Sequence, residues 1–378
     1  MAQEELRPSA ARSPWRQLGH VSRVILIIVG LPYTLIAALI CRPHPKWTFR
    51  QTLSARLIRK YSDAFGRAGV SANLTLDPRK QGERFQVVDP AQFSESFYQG
   101  PAVSSTVAPS KVGGTWYPKK PESLEGRIFL WNHGGAFVMG DSRELFCGFL
   151  AKVLLEHAGA DAVFCLEYRL SGYAKNPFPA ALQDMISAYA YLTETLKIPS
   201  TSITIGGDSA GANLCLAFLR YVEGHNTGIK PPSSAALVSP WVSPLESLSP
   251  TRTYQNEKAY STDYLAMSSL QFGANAYAPS LEIDGSAIPY IEPLGHYFAT
   301  SVPIFAHYGE CEILGPGIVA WAEGMRDVSG NEVELFCEED VPHDTIASGN
   351  LLGWEESAYG VGSKIGAFVR AHSKNTHT

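Results

Sequence analysis

A serine framed by glycines, Gly207-Asp208-Ser209-Ala210-Gly211, follows the β-branched run Ser202–Ile205 and opens the helical stretch Ala210–Val222. This feature constrains the chain most. Strand, tight turn and helix must follow one another directly, and the glycines let the turn lift the serine hydroxyl clear of the backbone. The helix N-terminus favours negative charge developing beside it. The same alternation recurs through the chain. Apolar, β-branched or aromatic runs lie at Arg127–Trp131, Ala162–Leu166, Ala235–Val238, Ile304–His307 and Val333–Phe336, with helical stretches such as Ala180–Leu196 between them. That rhythm predicts an α/β fold with a mostly parallel sheet covered by helices on both faces, over residues 111–375. Residues 245–300 are polar and rich in Ser, Pro and Tyr, and read as a cap inserted over the end of the sheet.

A second motif, His133-Gly134-Gly135-Ala136, follows the strand candidate Arg127–Trp131. Acyl transfer at a serine passes through a tetrahedral oxyanion, and backbone N–H groups must point at it. The expected donors are the amides of Gly134, Gly135 and Ala210, with His133 and Asp208 as motif residues that brace the turns. A triad on this fold places acid and then histidine after the serine. His343 sits in the loop Val341-Pro342-His343-Asp344, between the strand candidate ending at Cys337 and a C-terminal helix, and is the expected base. His225, His296, His307, His372 and His377 fall in less suitable places. The acid should follow Ile304–His307, where Glu310 and Glu312 both stand; Asp340 is a more remote candidate.

The N-terminal part reads differently. Val24–Cys41 is a run of 18 residues without a charge, flanked by Arg16 and Arg23 before and Arg42 and Lys46 after. As one helix it spans about 27 Å, close to a bilayer core of about 30 Å. The expectation is a polar tail over 1–23, a transmembrane helix over 24–41, and a linker and cap region over 42–110. That makes the chain a single-pass membrane protein, with the endoplasmic reticulum as the candidate compartment. Basic residues are slightly more numerous after the span, which points the C-terminal bulk to the cytosol. The sequon Asn73-Leu74-Thr75 is a glycosylation acceptor only if that bulk is lumenal. Leu53, Leu57, Tyr61 and Phe65 recur at every fourth position and predict an amphipathic helix with Arg56, Arg59 and Lys60 on a basic face.

Composition narrows the function classes. Net charge is −5 with pI near 6.1, so no basic surface for nucleic acid is implied. Six cysteines are scattered singly, which argues against a zinc site; Cys165, Cys215 and Cys337 lie in apolar runs and read as buried. No metal or organic cofactor is called for.

Taken together, the motifs resemble the hormone-sensitive-lipase-like branch of α/β hydrolases, especially fungal esterases and steryl acetyl hydrolases. The resemblance covers about residues 125 to 370. It rests on His133-Gly134-Gly135-Ala136-Phe137, Glu167-Tyr168-Arg169-Leu170, Phe178-Pro179-Ala180-Ala181-Leu182-Gln183-Asp184, Gly206-Gly207-Asp208-Ser209-Ala210-Gly211-Ala212-Asn213 and Ser239-Pro240-Trp241. It implies an α/β-hydrolase fold with a cap. It implies a catalytic Ser209, Glu312 and His343, because the acid in that family precedes an apolar residue and a leucine, as Glu312-Ile313-Leu314 does. Ala136 stands where a third glycine is common, and Glu312 where aspartate is commoner. The implied activity is carboxylic-ester hydrolysis through an acyl-serine, on a small lipophilic ester such as an acetylated sterol or secondary metabolite. An acyltransferase, an amide or formamide hydrolase, and a ligand-binding pseudoenzyme are the alternatives.

Overall fold

The computed structural model describes residues 14–71, 74–122, 126–174, 176–249, 258–279 and 285–373. Asn73, the sequon residue, lies outside the described residues. Eight strands form one sheet: β1 Phe85–Val88, β2 Val112–Tyr117, β3 Ile128–Asn132, β4 Ala162–Glu167, β5 Ile203–Asp208, β6 Ser234–Val238, β7 Ile304–Gly309 and β8 Val333–Glu338. Their order is β1-β2-β4-β3-β5-β6-β7-β8. β2 runs antiparallel to both of its neighbours, and β4-β3-β5-β6-β7-β8 are parallel. The sheet therefore reaches back to Phe85, into the stretch expected to hold only linker and cap.

The described helices are α1 Pro14–Val29, α2 Leu31–Ile40, α3 Phe49–Ala68, α4 Glu144–Val153, α5 Ser171–Ala174, α6 Ala180–Ala190, α7 Ala210–Gly224, α8 Met267–Tyr277, α9 Ile288–Ile291, α10 Gly315–Arg326, α11 Thr345–Leu352 and α12 Glu355–His372. Successive side chains of a strand point to opposite faces, so a strand apolar at every position serves two cores. Ile128 and Leu130 of β3 join Phe164, Ile205, Leu237 and Ile304 in the core that α6, α7 and α10 cover. Phe129 and Trp131 join Val163, Ala236 and Phe305 in the core that α4 and α12 cover. This two-faced burial is why the runs read as continuously apolar. Cys337 departs from expectation: it lies exposed on edge strand β8, which has a neighbour on one side only.

Strand order also positions the site. From β3 the chain crosses to β4 on one side and returns to β5 on the other. Such a reversal opens a crevice at the carboxyl ends of the two strands. The loop after β3 carries His133-Gly134-Gly135, and the turn after β5 carries Ser209.

The expected single membrane helix is broken. α1 and α2 meet at an angle of 51°, and no single described helix is long and apolar enough to cross a membrane; only the bent pair is. The cause is local. Pro32, at the second position of α2, has no N–H to donate and its ring collides with the carbonyl four residues back, while Gly30 at the break leaves the backbone loose. Both helices rest on α3: Lys60 Nζ donates to Thr34 Oγ1 at 2.6 Å, and the His20 ring meets Tyr61 edge-on.

α3 begins with a reciprocal cap between Thr48 and Gln51 and ends at Gly69 in the left-handed conformation. Its buried positions are mostly small, Ala55, Ala64, Gly66 and Ala68; of the predicted stripe Leu53, Leu57, Tyr61 and Phe65, Phe65 is buried and Tyr61 is exposed. Small residues let it press against α8. A Cβ on Gly66 would lie 2.3 Å from the Ser268 carbonyl carbon. Gly66→Ala should therefore cost about 1–3 kcal/mol, read as a lower urea midpoint. Gly360→Ala, on α12 with nothing near its Cβ position, should instead be neutral or stabilise by up to about 1 kcal/mol.

Candidate active site

β5 delivers Asp208 and Ser209 to the crevice. Ser209 has φ 52° and ψ −115°, a conformation that strains any residue with a Cβ. The surroundings hold it there. Its N–H donates to the Val238 carbonyl at 2.9 Å, and its carbonyl accepts from Trp241 N–H and Asn213 N–H at 3.1 Å each. Gly211 is required by close approach: a Cβ there would sit 1.9 Å from the Asn132 carbonyl oxygen. The strained turn thus packs against the end of β3, and Ser209 is only 7% exposed.

The loop after β3 is tied to the same turn. Gly134 N–H donates to Asp208 Oδ2 at 2.6 Å, and Trp131 Nε1 donates to Asp208 Oδ1 at 2.8 Å. This corrects one expectation. The Gly134 amide is bound to a carboxylate and is not a spare donor, which leaves Gly135 and Ala210 of the three predicted amides. Asp208 ties β3 and the loop after it to the Ser209 turn through these two bonds. His133 stacks on Tyr168 with ring centres 4.3 Å apart, and its carbonyl accepts from Tyr168 Oη at 2.8 Å. Burial pushes the His133 pKa down, so this imidazole is neutral and packs as a structural group.

On the other side, the loop after β7 turns Glu312 inward. Its side chain is buried, and Oε2 lies 3.5 Å from His343 Nδ1. That is ion-pair range, slightly beyond a hydrogen bond, and such contacts tighten when the imidazolium forms. Oε2 also accepts from Ser239 Oγ at 2.6 Å and from Gly309 N–H at 3.3 Å. Glu310 is exposed and accepts from Asp340 N–H. Asp340 pairs with Lys46 at 2.6 Å. Of the three candidate acids, Glu312 is the one brought to His343. His307, which sequence placed inside a strand, is buried in β7 against Glu338 at 3.0 Å.

Several groups had no sequence assignment. Ser239, with φ 45°, links the acid to the base loop: its Oγ donates to Glu312 and accepts Asp344 N–H at 3.0 Å. Its position directly after β6, at the carboxyl edge of the sheet, was the available signal. Asp344 and Asp263 are buried carboxyls near the triad. Burial first, then the charge of Asp208 and a hydrogen bond to it, hold the Asp344 pKa far above the carboxylate range. A cavity of about 910 Å³ lies between α1, α3 and α8, lined by Arg23, Arg59, Asp63, Met267 and Phe272 among others; no triad residue lines it.

With the elbow, the amide-bearing loop and the Ser239–Glu312–His343 chain in place, the wider comparison decides the family. Residues 129–347 match the model of a family described as alpha/beta hydrolase fold. The chain belongs to the α/β-hydrolase family. It is similar to an acetyl-hydrolase of Streptomyces hygroscopicus, 37% identical over 122 residues, which span 32% of this chain and 38% of that protein. An ethyl acetate hydrolase of Pseudomonas putida is 27% identical over 62% of this α/β hydrolase and 71% of its own length. Among solved structures, an esterase from the bacterial hormone-sensitive lipase family shares the fold at TM-score 0.62 and 20% identity, over 87% of this chain and 99% of that one. A hormone-sensitive lipase from a metagenome library matches at TM-score 0.54 and 25% identity, over 69% and 82%.

The electrostatics of His343 give a test. Burial, the largest influence, disfavours its charged form, yet the adjacent Glu312 carboxylate, with the charges of Asp263 and Asp208, outweighs it and raises the pKa. On the reading of His343 as general base, the imidazole must be neutral to act, so activity is lost as pH falls through this raised value. The acid limb of kcat/KM should have its midpoint above the ordinary histidine value of about 6.5, as a pH–rate profile will show.

Proposed function

We propose that this α/β hydrolase is a serine carboxylic-ester hydrolase with Ser209 as nucleophile, His343 as base and Glu312 as orienting acid. The observation that carries the reading is the strained Ser209 turn, hydrogen-bonded to Val238 beside Ser239, together with the buried Ser239–Glu312–His343 chain. His343 takes the Ser209 hydroxyl proton as Oγ attacks the ester carbonyl carbon. The Gly135 and Ala210 amides stabilise the resulting oxyanion. The imidazolium returns its proton to the departing alkoxide, leaving an acyl-serine. Water, deprotonated by the same histidine, attacks that ester; collapse releases the acid and restores Ser209. Glu312 holds the imidazole tautomer and balances its transient charge.

The named relatives favour a short acyl group, acetyl first. The N-terminal helices favour a lipophilic alcohol part. Leu26, Val29, Tyr33, Ile36, Leu39 and Ile40 of α1 and α2 are all more than half exposed, a contiguous apolar surface far beyond scattered single residues. We read the bent pair as the membrane attachment, which brings the crevice to where apolar esters concentrate.

Two measurements test this. Ser209→Ala should lower p-nitrophenyl acetate turnover by about 10³-fold or more without unfolding the chain; a variant as fast as wild type removes the nucleophile assignment. Leu26→Asp combined with Ile36→Asp should shift the full chain from the membrane to the soluble fraction on flotation with vesicles; unchanged flotation removes the attachment.

A further inference from the structure

Three consecutive cap residues grip the acid and the base. Thr262 Oγ1 donates to the Cys311 carbonyl at 3.0 Å. Asp263 Oδ2 accepts Ile313 N–H at 2.8 Å. These two bonds flank Glu312 on its N-terminal and C-terminal sides. Tyr264 meets the His343 ring edge-on, with centroids 5.8 Å apart. The segment is itself held from α3: Arg59 Nη1 donates to the Asp263 carbonyl at 2.7 Å and also to the Tyr260 carbonyl, and the guanidinium lies over the Tyr260 ring at 4.2 Å.

The chemistry of Asp263 asks for more than packing. Its two oxygens accept separate amides, Ile313 N–H at Oδ2 and Leu265 N–H at Oδ1 at 3.2 Å, and neither bond by itself needs a charged acceptor. A carboxylate that is 2% exposed and stands in the field of Glu312 is costly to keep ionised. Burial, chiefly, pushes its pKa up to about 6, and among the influences on it the opposing charge is that of His343. A buried anion that faces an imidazole gains most when that imidazole becomes positive, which happens during turnover.

We propose that Asp263 is a positioning residue of the triad, holding the Glu312 loop against His343 and stabilising the imidazolium formed in the reaction, with Arg59 of α3 as its anchor. The charged groups facing His343 are Glu312 from the loop after β7, Asp263 from the cap and Asp208 from the end of β5; Tyr264 meets its ring edge-on, and Asp344, its neighbour in the chain, has a pKa pushed far up by burial first and then by Asp208. Removing the Asp263 charge lowers the His343 pKa, so the acid limb of activity moves to lower pH.

This inference rests on the serine-hydrolase reading, and the experiment separates the two. Wild type, Ser209→Ala, Asp263→Asn and Arg59→Gln are assayed as full chains on p-nitrophenyl acetate across the acid limb, with thermal melts alongside. Asp263→Asn keeps the shape and one acceptor oxygen for Ile313 N–H, giving up the longer bond from Leu265 N–H. It should lower kcat about tenfold with KM within about twofold and move the acid limb down by about half a pH unit or more. Arg59→Gln should reproduce part of the kcat loss with the limb unmoved, and it carries the test should Asp263→Asn fail to fold. If Ser209→Ala is inactive while Asp263→Asn keeps the wild-type acid limb, or Arg59→Gln keeps the wild-type kcat where it alone is folded, the Asp263 proposal is overturned and the triad stands. If Ser209→Ala is as active as wild type, the triad reading falls and this proposal with it.

Discussion

The carboxylate of Asp208 joins the pieces that the crevice brings together. It accepts from Trp131 on β3 and from the Gly134 amide on the following loop, and it stands against Asp344 in the base loop. One side chain therefore connects the nucleophile turn, the amide-bearing loop and the segment carrying His343. The bonds are short and buried, so losing one partner leaves a buried polar group unpaired. The strain at Ser209 persists because this network and the glycine contacts leave the turn no other conformation.

The acid side of the site follows the opposite logic. Glu312, Asp263, Asp208 and Asp344 crowd one histidine, and four like charges in a buried space would repel strongly. The structure relieves this by protonation and hydrogen bonding rather than by cations. Burial first, then Asp208, pushes the Asp344 pKa far up, burial chiefly lifts Asp263 to about 6, and Ser239 donates to Glu312. What remains is a negative pocket matched to an imidazolium. That suits a reaction in which positive charge appears briefly on the base.

α3 connects these catalytic arms to the N-terminal helices. Through Arg59 it holds the cap segment beside Glu312 and His343. Through Gly66 it seats α8, whose Gly273 packs against Ala136 and whose Tyr277 stacks on Phe137 at 3.7 Å, both in the loop after β3. The predicted basic face of this helix was thus only partly a surface feature. Arg59 turned inward because unpaired backbone carbonyls of the cap needed donors, a demand that the helix's own periodicity does not contain.

What the sequence determined by itself was local and periodic. The glycine-framed serine needs a strand before it and a helix after it, and continuous apolar runs need cover on two faces; both are written in residues close together along the chain. The order of motifs was enough to nominate Ser209, His343 and a glutamate after β7. The family resemblance already favoured Glu312 over Glu310 and Asp340; tertiary structure supplied the contact with His343, because side-chain direction in a turn depends on what the turn packs against. Tertiary structure alone removed Gly134 from the donor set, through a carboxylate distant in sequence; the bend at Gly30 and Pro32, by contrast, has a local cause. Asp263 had no sequence signal: its partners come from α3, β7 and the base loop, and only folding brings those together.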